Sequence, residues 1–150
     1  MTMKDRVEKA VELFKSGYNC SQSVVAAFAD MYGFTQEQAL RMSASFGGGI
    51  GRMRQTCGAA CGMFLLAGLE KGAVDGKDRE GKAANYALVQ QLAEEFRKRN
   101  GSMICAELLG LKKPEGSSTP EARTEQYYAT RPCALSLIHI SEPTRQAEIS

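Results

Sequence analysis

Thr56-Cys57-Gly58-Ala59-Ala60-Cys61-Gly62-Met63-Phe64-Leu65-Leu66-Ala67-Gly68-Leu69 is the stretch that decides the fold. It carries no charge, and its apolar residues fall on nearly every side of a helical wheel. That is the pattern of a buried central helix, not of one with a wet face. Gly58, Gly62 and Gly68 each lower its helicity by about 0.8–1 kcal/mol relative to Ala. Such a cost makes sense where another backbone or a bound group must come close. Immediately before it, Gly47-Gly48-Gly49-Ile50-Gly51-Arg52 predicts a loop.

Outward from this core the period stays helical. Val7, Ala10, Val11 and Phe14 mark a first amphipathic helix ending at Gly17. Asn19 offers an N-cap for a second helix carrying Val24, Ala27, Phe28 and Met31, stopped by Gly33. Thr35 with Gln38 makes a capping box for a third, bearing Ala39, Leu40 and Ala44. Past a polar loop, Glu70 to Asp78, the longest helix runs from about Asp78 to Arg99. Ala84, Leu88, Val89, Leu92 and Phe96 line one face, and Asn100-Gly101 ends it. Ser102 is placed to cap a short helix, Met103 to Leu109, closed by Gly110. Lys112 to Pro120 reads as a polar loop, Glu121 to Ala129 as a turn or two, and Cys133 as a loop residue after Pro132. No convincing period-2 alternation appears before residue 135. The expectation is an all-α, single-domain helical bundle with a Gly-rich loop ahead of its buried central helix.

Leu135 to Ser150 resembles the in-frame translation of a sequencing adapter. The expected division is therefore a helical domain over residues 1–134, truncated at its C-terminus, and a non-native, β-prone tail over 135–150. The chain's one histidine, His139, falls in that tail. Any site in residues 1–134 is then built without imidazole.

Composition narrows the function classes. At 150 residues, 43% hydrophobic and 24% charged, the chain is the size and make-up of one globular domain. A net charge of +2, with no basic block interleaved with aromatics, argues against nucleic acid or an anionic membrane as partner. The N-terminus has no signal-peptide h-region, and no apolar run approaches the ~20 residues of a membrane span. The expectation is a cytoplasmic protein, whose five cysteines are not a structural disulfide framework. The glycine loop matches neither phosphate-binding fingerprint, though an anion beside Arg52 and Arg54 fits it. Met31, Met42 and Met63 lie in apolar helical patterns and read as core.

The cysteines stand out by position. Cys20 follows the N-cap candidate Asn19, Cys57 follows Thr56, and Cys105 lies three residues after Ser102. Each sits in a helix's first turn, where free N–H groups favour a thiolate, the form that attacks disulfides and binds metals. Arg52 and Arg54 add positive charge ahead of Cys57. Inert packing is the alternative for each, because free Cys is commonly a buried hydrophobe.

Gly17-Tyr18-Asn19-Cys20-Ser21-Gln22-Ser23-Val24, the run from Gly47-Gly48-Gly49 into Cys57-Gly58-Ala59-Ala60-Cys61-Gly62, Cys105 within Ile104 to Gly110, and Cys133 together resemble the C-GCAxxG-C-C family, whose members are described as redox-active. The resemblance implies that Cys20, Cys57, Cys105 and Cys133 are the characteristic cysteines and that they converge on one redox site. Cys61 holds a variable position of the signature. One helical turn from Cys57, it is a packing residue, a spare thiol or a resolving partner, with packing the expected role.

Four thiols without imidazole suit an iron–sulfur cluster held by Cys20, Cys57, Cys105 and Cys133, serving electron transfer or redox sensing with an unidentified partner protein. Thiol–disulfide exchange is the alternative, with Cys57 attacking and Cys61 or Cys20 resolving, although no C-x-x-C motif is present. A helical module with buried thiols and a structural zinc site follow. The latter lacks the usual closely paired ligands.

Overall fold

The computed structural model describes residues 1–111 and 116–138. The chain is all-α: helices are joined by short turns, and among the described residues the one β feature is an isolated antiparallel bridge between Thr56 and Ile104. No helix among them is long and apolar enough to cross a membrane.

Helix α1 spans Met3–Lys15 and buries Ala10 and Phe14. Its buried Arg6 donates to the Ala27 carbonyl at 2.9 Å and pairs with Asp30 at 2.7 Å, pinning α1 to the next helix. That helix, α2 (Cys20–Phe28), is capped as its sequence predicts. Asn19 Oδ1 accepts from the Gln22 N–H at 2.9 Å, and Gln22 reaches back to the Asn19 N–H. All of α2 except Gln22 is buried, and it packs against α1, α3 (Gln36–Ser43), α4 (Gly58–Lys71) and α8 (Cys133–Ile138). The hub is thus α2 together with the first half of α4, not α4 alone.

Two glycines make that pairing possible. A Cβ on Gly62 would lie 2.9 Å from Val24 Cβ, and one on Gly58 would lie 3.0 Å from the Phe46 carbonyl oxygen. Close approach of the two helices is what their poor helix propensity secures. Beyond Ala67 the helix emerges, and Gly68 has nothing near its missing side chain.

Helix α5 (Arg79–Asn100) packs on α4 through Leu88 and Leu92. Asp78 caps it, and left-handed Gly101 ends it where expected. Ala84, however, is exposed, because the first turns of α5 extend past the body that α4 covers. Other expectations are also corrected. The second helix tightens into a 3-10 turn at Ala29–Tyr32, which turns Met31 outward. The third ends at Ser43, leaving Ala44 in a 3-10 turn (Ala44–Phe46) and Met42 on the surface. Met63 is buried in the core. The short helix α6 is Cys105–Leu108 with Ile104 at its N-cap position. Ser102 Oγ instead accepts from the Ile104 N–H and contacts Glu107.

The C-terminal segment returns across the bundle. Helix α7 (Glu125–Thr130) is followed by α8, so Cys133 begins a helix rather than standing on a loop, and residues 135–138 are helical rather than extended. Leu137 is fully buried in the main core. The rest of the expected tail, with His139, lies outside the described residues, as does part of the predicted 112–120 loop. Arg123 fastens this segment, donating to the Phe14 and Tyr18 carbonyls at 3.1 and 3.2 Å. Phe14 is in the last turn of α1, an end that favours cations, and Tyr18 is in the turn that follows it. The guanidinium also lies over the Phe14 and Tyr127 rings.

Candidate functional site

Four sequence-distant cysteines line one cavity of about 300 Å³: Cys20, Cys57, Cys105 and Cys133. Each arrives by a different local device. Cys20 opens α2 behind its Asn19 cap, and Asn19 Nδ2 also donates to the Ala44 carbonyl at 3.0 Å, tying this end of α2 to the glycine loop. Cys57 is itself the N-cap residue of α4, one place earlier than expected. Cys105 is the first residue of α6. Cys133 comes in on the segment that Arg123 holds down.

The Thr56–Ile104 bridge brings two of them to the cavity, one from each end of the bridge. The Cys57 N–H donates to the Met103 carbonyl at 2.7 Å, and the Cys105 N–H to the Gln55 carbonyl at 2.6 Å. A single pair of bonded residues, far too short to show period-2 alternation, does what the sequence patterns did not announce.

The floor of the cavity is the glycine loop. Gly48, Gly49, Ile50, Gly51, Arg52 and Arg54 all have positive φ. For the three that carry a Cβ this costs about 1–2 kcal/mol each. Strain of this kind clusters at functional sites. Gly49 is irreplaceable on two counts: its φ of 73°, and a missing Cβ that would stand 2.6 Å from Cys105 Cβ. Arg54, buried, directs Nη1 to Cys105 Sγ at 3.6 Å. Arg52 donates to the Ser117 carbonyl at 2.9 Å and pairs with Glu121, which also contacts Arg131 across the cavity mouth.

Thiol acidities follow burial more than helix position. Cys57 was expected to be acidified by its helix start. The Ala59 and Ala60 N–H groups do act in that direction, but burial dominates and pushes the thiol up to about 12. Cys105 is also raised by burial, against the opposing effect of Arg54. The acidic thiol is Cys133. It accepts a hydrogen bond from Cys20 and faces Arg131, Arg123 and Arg54, and is held down to about 7. Cys20, the donor of that bond, is raised.

Cys61 is outside the cavity. It is buried, contacts the Thr56 carbonyl at 3.7 Å, and burial pushes it up to about 11. That is a packing environment, with no contact to a second thiol.

The fit of a metal group can be judged on this geometry. Among the described residues no set of three or more His, Cys, Asp or Glu side chains is gathered tightly enough to hold one metal ion. The side chains as they stand therefore do not form a single-ion Cys₄ zinc site. Four soft donors spread round one cavity, with backbone in place of side chains at Gly49 and Gly58, suit in kind a group that distributes its ligands over several metal atoms. Arg52, Arg54, Arg123 and Arg131 against the single carboxylate of Glu121 supply the positive surroundings such thiolates need.

The wall residues Glu121, Arg123, Tyr127 and Arg131 were not legible as site residues. Their partners lie far away in sequence, and the one local hint was an arginine two places before Cys133.

A family model described as "Putative redox-active protein (C_GCAxxG_C_C)" matches residues 18–142, running past Ala134. No curated protein and no solved structure matches the chain.

Proposed function

The chain belongs to the C_GCAxxG_C_C family of redox-active proteins, and on that premise we propose that Cys20, Cys57, Cys105 and Cys133 hold an iron–sulfur cluster. The observation that carries the reading is the convergence of these four thiols, from both halves of the chain, on one cavity. When bound, the cluster supplies one-electron chemistry, for electron transfer to a partner protein or for redox sensing. The chain's own residues do the rest. The four sulfurs bind, the left-handed loop keeps side chains out of the space, and the arginines offset thiolate charge. The segment carrying Tyr127 and Pro132 covers the cavity against water. A site of free thiols needs a reducing compartment, which supports the cytoplasm as its place.

The test is anaerobic purification followed by iron, sulfide and zinc analysis beside a visible spectrum. Iron and sulfide in matching amounts are expected. Serine at Cys20, Cys57, Cys105 or Cys133 should abolish them, and Cys61→Ser should retain them. A colourless protein without iron after reconstitution would overturn the reading.

One observation favours a second reading, thiol–disulfide exchange: Cys20 and Cys133 line the same cavity and perturb each other's acidity. Here Cys133, not Cys57, is the attacker. Its thiolate bonds to one sulfur of a partner disulfide, and the other sulfur leaves as a thiolate that takes up a proton. Cys20, losing its proton, then attacks Cys133 and releases the second partner sulfur. Two electrons pass to the partner, and a Cys20–Cys133 disulfide remains. Under this reading the metal-free protein reduces a model disulfide, and Cys133→Ser abolishes the reaction.

A further inference from the structure

Arg54 is the one buried cation of the cavity wall, Arg52, Arg123 and Arg131 being half-buried. Its side chain is buried, and its backbone sits at φ 61° in the left-handed region. Its N–H donates to the Gly48 carbonyl at 3.1 Å, and its own carbonyl accepts from the Ala106 N–H at 3.2 Å. The next residue, Gln55, accepts from the Cys105 N–H at 2.6 Å. The Arg54 main chain is thus fastened both to the glycine loop and to the first turn of α6, the turn that carries Cys105. The guanidinium then reaches Cys105 Sγ, while Gly49 presses on Cys105 Cβ from the loop side.

We infer that Arg54 is the positioning residue for Cys105: its guanidinium aims that sulfur into the cavity and stabilises its negative charge through an N–H···S contact. Cys57, at the other end of the bridge, receives backbone N–H groups instead. The two sulfurs are therefore unequal. In metal-free protein Cys105 is the sulfur that Arg54 presents to a reagent entering the cavity. With a cluster in place, the cationic donor raises the reduction potential, since it favours the more negative, reduced form. The second consequence rests on the cluster reading; the first does not.

The variants are Arg54→Met, which fills the buried volume without burying a polar group, and Arg54→Lys, which keeps the charge. The metal-free, reduced chain is labelled with iodoacetamide at neutral pH, and each cysteine is read by mass spectrometry. Arg54→Met is expected to slow Cys105 about tenfold and Cys133, which keeps two of its three arginines, by less, with Arg54→Lys restoring most of the rate. Cys105 labelling at the wild-type rate in Arg54→Met overturns the inference. So does a wild-type Cys105 no more reactive than Cys61. In cluster-loaded protein the midpoint potential of Arg54→Met should fall and that of Arg54→Lys should return towards wild type. Wild-type protein that never takes up iron counts against the cluster reading alone, because the labelling arm still decides the role of Arg54.

Discussion

Thr56 and Ile104 form a single antiparallel bridge, and the residue following each is a cavity cysteine. The bridge brings Cys57 and Cys105 to the same cavity from its two opposite ends, although 48 residues separate them in the chain. The backbone N–H groups of both cysteines are spent on bonds across it.

Gly49 of the site and Gly68 on the emerging part of α4 should respond in opposite directions to alanine. Gly49→Ala places a Cβ against Cys105 at a positive φ, so it should cost about 1–3 kcal/mol and empty the site of iron. Gly68→Ala meets nothing within 4 Å on α4 and should stabilise by about 0.8–1 kcal/mol. Thermal unfolding of the two variants reads this; equal melting temperatures would contradict the packing described.

Labelling of the metal-free chain should separate the thiols by pH. Cys133 should become reactive with a midpoint of about 7, whereas Cys57 and Cys61, pushed up to about 12 and about 11, stay silent at neutral pH. Cys20→Ala removes the donor to Cys133 and should move its midpoint upward. A midpoint unchanged in that variant would mean the arginines, not Cys20, hold Cys133 down.

Stability at high pH follows from the same groups. The folded chain raises Cys57 and Cys61 above the ordinary thiol value of 9.0. Their contribution is whole below pH 9 and is lost as pH climbs through their folded values. Metal-free protein should therefore lose stability progressively above pH 9, and Cys61→Ala should flatten part of that slope. A chemical-denaturation series from pH 8 to the alkaline limit measures it.

Arg6→Ala should destabilise by about 1–3 kcal/mol, because it leaves the buried Ala27 carbonyl without its donor. Asp30, the other partner of Arg6, is held below the usual carboxylate range by that guanidinium. Its contribution is present above the unfolded value near 3.8 and fades as pH falls through the lower folded one. Asp30→Asn should remove this part of the acid sensitivity and leave neutral stability nearly unchanged, the carboxylate being largely exposed.

Arg123→Ala should loosen the C-terminal segment without melting the bundle. Two hydrogen bonds, to the last turn of α1 and the turn after it, and stacking on Phe14 and Tyr127 are lost together, a cost of about 2 kcal/mol. Limited proteolysis should then cut between α6 and α7, and Cys133 should label faster. Protection equal to wild type would show that α7 and α8 are held by apolar packing alone.

The sequence by itself determined most of the helices, the caps at Asn19 and Thr35, the stop at Gly101, and the apolar stretch that must lie inside. These depend on contacts within one turn or on a period of 3.6, and a linear reading has access to both. It also separated Cys61 from the other four through the family's motif. Only the tertiary structure decided where apolar faces run out of neighbours, which is why Ala84, Met31 and Met42 reach the surface. It likewise decided the acidity order of the thiols. A helix start favours thiolate locally, but the desolvation that opposes it at Cys57 depends on everything packed around the sulfur. Cys133 is the acidic thiol because Cys20 and three arginines from distant segments meet there. Electrostatics and burial sum over space, and the chain's order along its length does not carry that sum.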